Sequence, residues 1–160
     1  MSVIDFTPVF NLLNRVARLS EDDAWTFALN EEFTQQEIIR LNQEQLYEEG
    51  IDSEGFELDN TDNFYTLPGV YSQFTVQLKK EKGQRYDHIT LQDTGAFYAS
   101  FHVIVDRDAF TLDANDLKDG THLFHVYGED VMGLTEFNKE RVKNVILDLY
   151  LVYARAILLQ

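Results

Sequence analysis

Histidines and carboxylates are the first places to look for chemistry in this chain. The four histidines are His88, His102, His122 and His125. His122 and His125 stand three apart, a spacing that puts two side chains on one face of a helix. With Asp119 nearby in sequence, that is the beginning of a metal site. No H-E-x-x-H or similar partner motif accompanies it, so hydrogen-bonded or solvated histidines are the plainer reading. Asp52, Glu54, Glu57 and Asp59 gather acids as a calcium loop does. An EF-hand needs glycine at the sixth position and glutamate at the twelfth, whereas Gly55 falls fourth from Asp52. The chain holds 28 acids, and nothing singles out a pair for acid–base work. Ser100 has no triad signal, and there is no G-x-S-x-G, no phosphate-binding glycine loop and no dinucleotide fingerprint. Without cysteine there is no thiol catalysis, disulfide or thiolate metal site. The expectation is a protein that is not an enzyme, with no cofactor and no metal.

The elements that would position these residues centre on 90–134. Asp93-Thr94-Gly95 reads as a turn: Gly95 permits it, and Asp93 or Thr94 caps a short helix through Phe97, Tyr98 and Ser100. Phe101, Val103 and Val105 then alternate with His102 and Ile104, and Phe110, Leu112 and Ala114 alternate again. A hairpin over 101–114 follows. Asp119 precedes a short helix that Gly128 closes.

Helical patterns flank this centre. Thr7-Pro8 starts a helix over about 8–18. Ser20 with Asp23 forms a weak capping box, and 24–29, with Trp25 and Phe27, is open between helix, strand and docking arm. A helix capped by Thr34 puts Ile38, Leu41, Gln45 and Leu46 near one face and ends at Gly50. Phe74–Lys82 forms a short helix ending at Gly83. Thr135 starts the last helix, running to about 158. Its stripe is Val142, Val145, Ile146, Leu149, Val152, Tyr153, Ala156 and Ile157, with Leu147, Tyr150, Leu151, Leu158 and Leu159 off it. A helix apolar nearly all round is buried on more than one side, either by another subunit on the second side or as a central core helix of a monomer.

The predicted fold is therefore α+β: helices packed around a small antiparallel sheet, with a long C-terminal helix. Residues 1–160 form a single domain, with 1–30 as an N-terminal helical arm. Residues 51–72 form an extended loop for interaction, carrying Phe56, Phe64, Tyr65 and Tyr71. The N-terminus lacks the basic and apolar regions of a signal peptide, and Lys143, Asp148 and Arg155 make 142–159 a poor membrane span. The expectation is a soluble protein made in the cytoplasm.

The formal charge is −15, with a net −12 in residues 1–62 and −3 in residues 63–160. Such a field disfavours non-specific nucleic-acid binding. The basic cluster Lys79, Lys80, Lys82 and Arg85 could meet the acidic half of a neighbouring copy. The alternative is a solvated acidic surface that keeps the protein soluble.

Leu91, Thr94-Gly95, Phe97 and Ser100-Phe101, then the hairpin and Tyr127-Gly128, carry a resemblance. The run resembles tail-completion and neck proteins of tailed bacteriophages, the virion morphogenesis or minor tail proteins. The N-terminal helix with Tyr47-Glu48-Glu49-Gly50, and Tyr71-Ser72 after the loop, is similar to structural proteins of phages and prophages of Bacteroidetes-type hosts. The likeness covers roughly residues 35–160. It departs at Ala96 and Tyr98, where family members often carry basic residues, and 1–30 has no counterpart.

The resemblance implies a virion structural protein of the head–tail connector, made in the host cytoplasm and located in the neck or tail. It implies a homo-oligomeric ring that extends the DNA ejection channel and joins portal to tail. Its partners would be further copies of itself and the portal or adjacent neck and tail proteins. DNA would pass through the lumen without specific binding, and no membrane is involved. Asp93, Thr94, Gly95 and Ser100 would be the fold-signature turn. The candidate subunit contacts are Phe56, Phe64, Tyr65, Tyr71, Lys79, Lys80, Lys82, Arg85, Tyr150, Leu151 and Leu158. The competing reading is an acidic DNA-mimic inhibitor or anti-defence protein, for which the charge alone speaks.

Overall fold

The computed structural model of the chain describes residues 7–59, 71–106 and 109–159. It is an α+β fold in which helices accompany a small two-stranded antiparallel sheet and a long helix closes the chain.

Helix α1 spans Thr7–Val16. Helix α2 spans Glu21–Asn30, which resolves the open reading of 24–29 in favour of helix. The Ser20 side chain accepts the Asp23 N–H at 3.2 Å, satisfying a free donor of the first turn. Helix α3, Glu32–Glu44, follows after a single extended residue, Glu31. The expected Thr34 cap is displaced: Thr34 lies inside the first turn and is buried. The chain leaves α3 through a π-helical turn, Gln45–Glu49, and stops at Gly50 in the left-handed region, φ 67°. There the Gly50 N–H reaches back to the Gln45 carbonyl oxygen at 3.0 Å. Helix α4, Gln73–Glu81, is capped by Ser72, which accepts the Thr75 N–H at 3.1 Å.

Helix α5 is one turn, Ala96–Ala99, entered through Gly95 at φ 88°. Strands β1, His102–Asp106, and β2, Ala109–Asp113, pair antiparallel with Val103 opposite Leu112 and Val105 opposite Phe110. A second, two-residue ladder joins β3, Leu117–Lys118, to β4, Thr121–His122. Asp119, φ 50°, and Gly120, φ 81°, make the tight turn of this ladder. Asp-Gly is a pair that tolerates positive φ at both central positions of a hairpin turn. The short helix expected after Asp119 is α6, Leu123–Tyr127, which follows β4 and is closed by Gly128.

Helix α7, Glu136–Leu158, is capped by Thr135 as its sequence predicts. Among the described residues two apolar clusters make the core. One holds Leu46, Leu58, Ile89, Phe97, Phe101 and Val131. The other holds Leu29, Ile38, Leu41, Leu112, Leu134, Val142 and Ile146, with Val103, Val105 and Phe110 packed against it. Thus α2, α3, α7 and one face of the β1–β2 pair share the second cluster, while α5 and α6 cover the first.

Buried amides tie α3 to the start of α7. Asn42 Nδ2 donates to the carbonyl oxygens of Val131 at 3.1 Å and Gly133 at 2.6 Å. Gln45 Oε1 accepts the Thr135 N–H at 3.0 Å and Asn138 Nδ2 at 3.3 Å. Among the described residues no helix is long and apolar enough to cross a membrane.

Candidate functional site

The turn at 93–100 is held by cations from elsewhere. Asp93 does not cap α5. Its carboxylate pairs with Lys82 at 2.5 Å and Lys118 at 3.0 Å. Hydrogen bonds from Lys82 and then Lys118 hold its pKa down at about 2. Thr94 Oγ1 accepts the Ala96 N–H at 3.3 Å. Ser100 Oγ donates to the Phe97 carbonyl at 2.7 Å and accepts the Asn115 N–H at 2.9 Å. The hydroxyl therefore stitches α5 to the segment that follows β2. Tyr98, beside it, donates to the Thr90 carbonyl at 2.5 Å, and burial pushes its phenol far above the usual range.

Of the expected basic patch, Lys79 turns inward, while Lys80 and Lys82 are exposed and Arg85 is half-buried. Lys79 is buried at 6% exposure. Its ammonium donates to the Gln92 carbonyl at 2.5 Å and lies 4.6 Å from the Tyr71 ring centroid. Lys80 sits 4.7 Å over Tyr86. Arg85 pairs with Asp87 at 2.9 Å and with Glu48. Helical spacing explains this outcome. It points Lys79 and Lys82 from one face of α4 at residues 90–93, where carbonyls and Asp93 receive them.

The acidic loop has its own internal logic. Asp52 Oδ1 accepts the N–H groups of Glu54 and Phe56, both at 2.9 Å. That is a side chain folding its own turn. Phe56 stands 71% exposed on that turn. Tyr71 is half-buried, with its hydroxyl accepting the Thr90 N–H at 2.8 Å. Phe64 and Tyr65 lie outside the described residues.

His122 and His125 do come together, with ring centroids 5.3 Å apart. The carboxylate beside them is Asp116, 3.0 Å from His122 Nδ1, and not Asp119. The His122 contact holds Asp116 below the ordinary carboxylate range. No group of three or more potential ligands that could hold a metal occurs among the described residues.

What remains is an apolar surface on α7 and α1. Along α7 the exposed residues recur in pairs, 143/144, 147/148, 151/152 and 155/156, then 159. A repeat of about four places them in one stripe. Leu147 is 54% exposed, Leu151 44%, Val152 55% and Leu159 82%. The predicted core stripe holds at Val142 and Ile146 and fails at Val152 and Ala156, which face outward. Tyr150 and Leu158, the other predicted contacts here, are half-buried.

Helix α1 packs along α7, and Arg15 Nη1 donates to the Leu158 carbonyl at 3.0 Å. It presents Phe10 at 64%, Leu12 at 50%, Leu13 at 56% and Val16 at 47% exposure. A groove of about 250 Å³ runs between α2 and α7, lined by Glu21, Ala24, Trp25, Lys143, Ile146, Leu147 and Tyr150. Val152 belongs to the stripe that the sequence pattern of α7 marks as buried, and the signal that it could face outward is an apolar surface running nearly all round that helix.

The described residues thus present an exposed apolar face on α1 and α7. Comparison with protein-family models, with curated proteins and with solved structures found no match.

Proposed function

We propose that this chain is a virion structural protein of the phage head–tail connector, a neck-ring or tail-completion component that works by joining copies of itself. The observation that carries the self-assembly half is the exposed apolar face of α1 and α7, with four large side chains on α1 alone between 47% and 64% exposed. Faces of this kind mark protein contacts. The connector half rests on the resemblance of the run Leu91–Phe101 and the elements after it. Chemistry enters only as packing: apolar side chains leave water, and shape fixes the partner. A ring of such chains would extend the DNA channel, and an acidic lumen would let DNA slide without sticking.

Size-exclusion chromatography with light scattering at rising concentration, followed by negative-stain imaging, tests this. Closed rings are the expected outcome, alone or on the portal protein. A monomer at every concentration that also ignores the portal would sink the reading. If that monomer blocked a DNA-binding enzyme, the acidic DNA-mimic reading would take over; the three exposed carboxylates Glu21, Asp22 and Asp23 that open α2 would suit it.

A further inference from the structure

The exposed stripe of α7 is complementary to itself. Its residues are Leu147, Asp148, Leu151, Val152, Arg155 and Leu159, all exposed. Asp148 and Arg155 stand seven residues apart, about 10 Å along the axis, too far to pair within the helix. Among the described residues neither side chain has an ion-pair partner. They flank the apolar pair Leu151–Val152 symmetrically, one acid and one base at equal distance from its centre.

We infer that α7 pairs antiparallel with α7 of a second copy about a two-fold axis between Leu151 and Val152. In that register Leu151 of each copy faces Val152 of the other, and Asp148 faces Arg155 at both ends. A two-fold contact requires this kind of self-complementarity. A parallel pairing would set Asp148 against Asp148 and Arg155 against Arg155, which like-charge repulsion disfavours. The antiparallel register also carries Leu159 of each copy to the level of Asn144 of the other, beside the apolar groove between α2 and α7. Helix α1, with Phe10 and Leu13 outward, widens the contact. The inference rests on the self-assembly reading; a two-fold contact closes on itself, so a ring would grow from such pairs through a second, different surface.

The chain has no cysteine, so a single introduced one is a clean reporter. Leu151→Cys should cross-link to itself under mild oxidation with a short thiol linker. Leu159→Cys should not, because two copies of residue 159 lie about 22 Å apart along paired antiparallel helices. Asp148→Arg and Arg155→Asp should each weaken the pair roughly tenfold, and the double exchange should restore it. All four positions are exposed, so the variants keep their core. Cross-linking at both 151 and 159 would mean a parallel pair and overturn the inference. A double exchange as weak as the singles would overturn it too. Higher oligomers without any 151 cross-link would overturn it while leaving the assembly reading standing. A chain that stays monomeric would overturn the pairing, and the assembly reading with it if the portal also gathers no copies; a two-fold pair that never grows, alone or on the portal, would uphold the pairing and overturn the ring.

Discussion

Gly50 and Gly95 both hold positive φ beside a helix end, at 67° and 88°, yet their surroundings differ. A Cβ on Gly95 would meet nothing within 4 Å, whereas one on Gly50 would collide with the His88 ring and approach the Ile89 carbonyl at 3.1 Å. Gly95→Ala should therefore cost only the backbone penalty, about 1 kcal/mol. Gly50→Ala adds overpacking and should cost about 3 kcal/mol. Thermal melts would separate them, since 1 kcal/mol moves the midpoint by about 2–4 °C in a chain of this size. Equal losses would mean that the 93–95 turn carries hidden packing.

Asp93 makes a second test at the same scale. Its pKa is held down at about 2 by Lys82 and Lys118. A lowered folded pKa stabilises above the ordinary aspartate value near 3.9 and loses that contribution as pH falls through about 2. Asp93→Asn should cost about 1 kcal/mol at pH 7, allowing for solvent screening. The gap from the parent should close between about pH 4 and pH 2. A gap that is flat over that window would show that the carboxylate charge contributes nothing. Thr94 and Gly95 were legible in the sequence because a turn is local. The lysine partners of Asp93 were not, because one lies eleven residues before it and the other twenty-five after, and only the fold brings them together.

Among the elements, α3 and α7 show how much a pattern can carry. The 3.6-residue period placed Gln45 on the same face as Ile38, Leu41 and Leu46, and all four are buried. The period could not say what a buried amide would bond. Gln45 answers by taking the Thr135 N–H and Asn138 Nδ2, while its Nε2 lies 3.4 Å from the Gly133 carbonyl oxygen. It thereby fixes where α7 departs. Gln45→Leu should cost about 2–3 kcal/mol, because it strands buried polar groups. Gln45→Leu with Asn138→Leu should cost clearly less than the sum of the two single changes, because the residues share one network. Denaturant unfolding of the two singles and the double checks this, and strict additivity would refute the shared network. Cap chemistry made α7 legible at Thr135 and marked the start of α2 weakly at Ser20, while the Ser72 cap of α4 went unread. The break at Glu31 was not, since packing of Thr34 into the core overrode its capping preference.

For the whole molecule, the sequence showed that α7 had too many apolar residues for one face, but not which of them stay outside. That depends on where α1, α2 and α3 land, a tertiary outcome. It explains why Val152 was read as core and is exposed, and why Lys79 was read as surface and is buried. The same scale sets a last test. Each copy carries a formal charge of −15, so approaching copies repel over a screening length of about 10 Å at 0.1 M salt. The contact proposed on α7 is mainly apolar, with one acid–base pair at each end. Raising salt from about 0.1 M to 1 M shortens the screening length to about 3 Å. That relieves the global repulsion and also weakens those end pairs. Fifteen like charges per copy outweigh two attractive pairs per dimer, and added salt leaves the apolar contribution in place. Self-association should therefore tighten several-fold over that range in sedimentation equilibrium. The double exchange of Asp148 and Arg155 should respond identically, because it preserves net charge. Association that loosens with salt would mean that ion pairs hold the copies together, and the apolar stripe would lose its role.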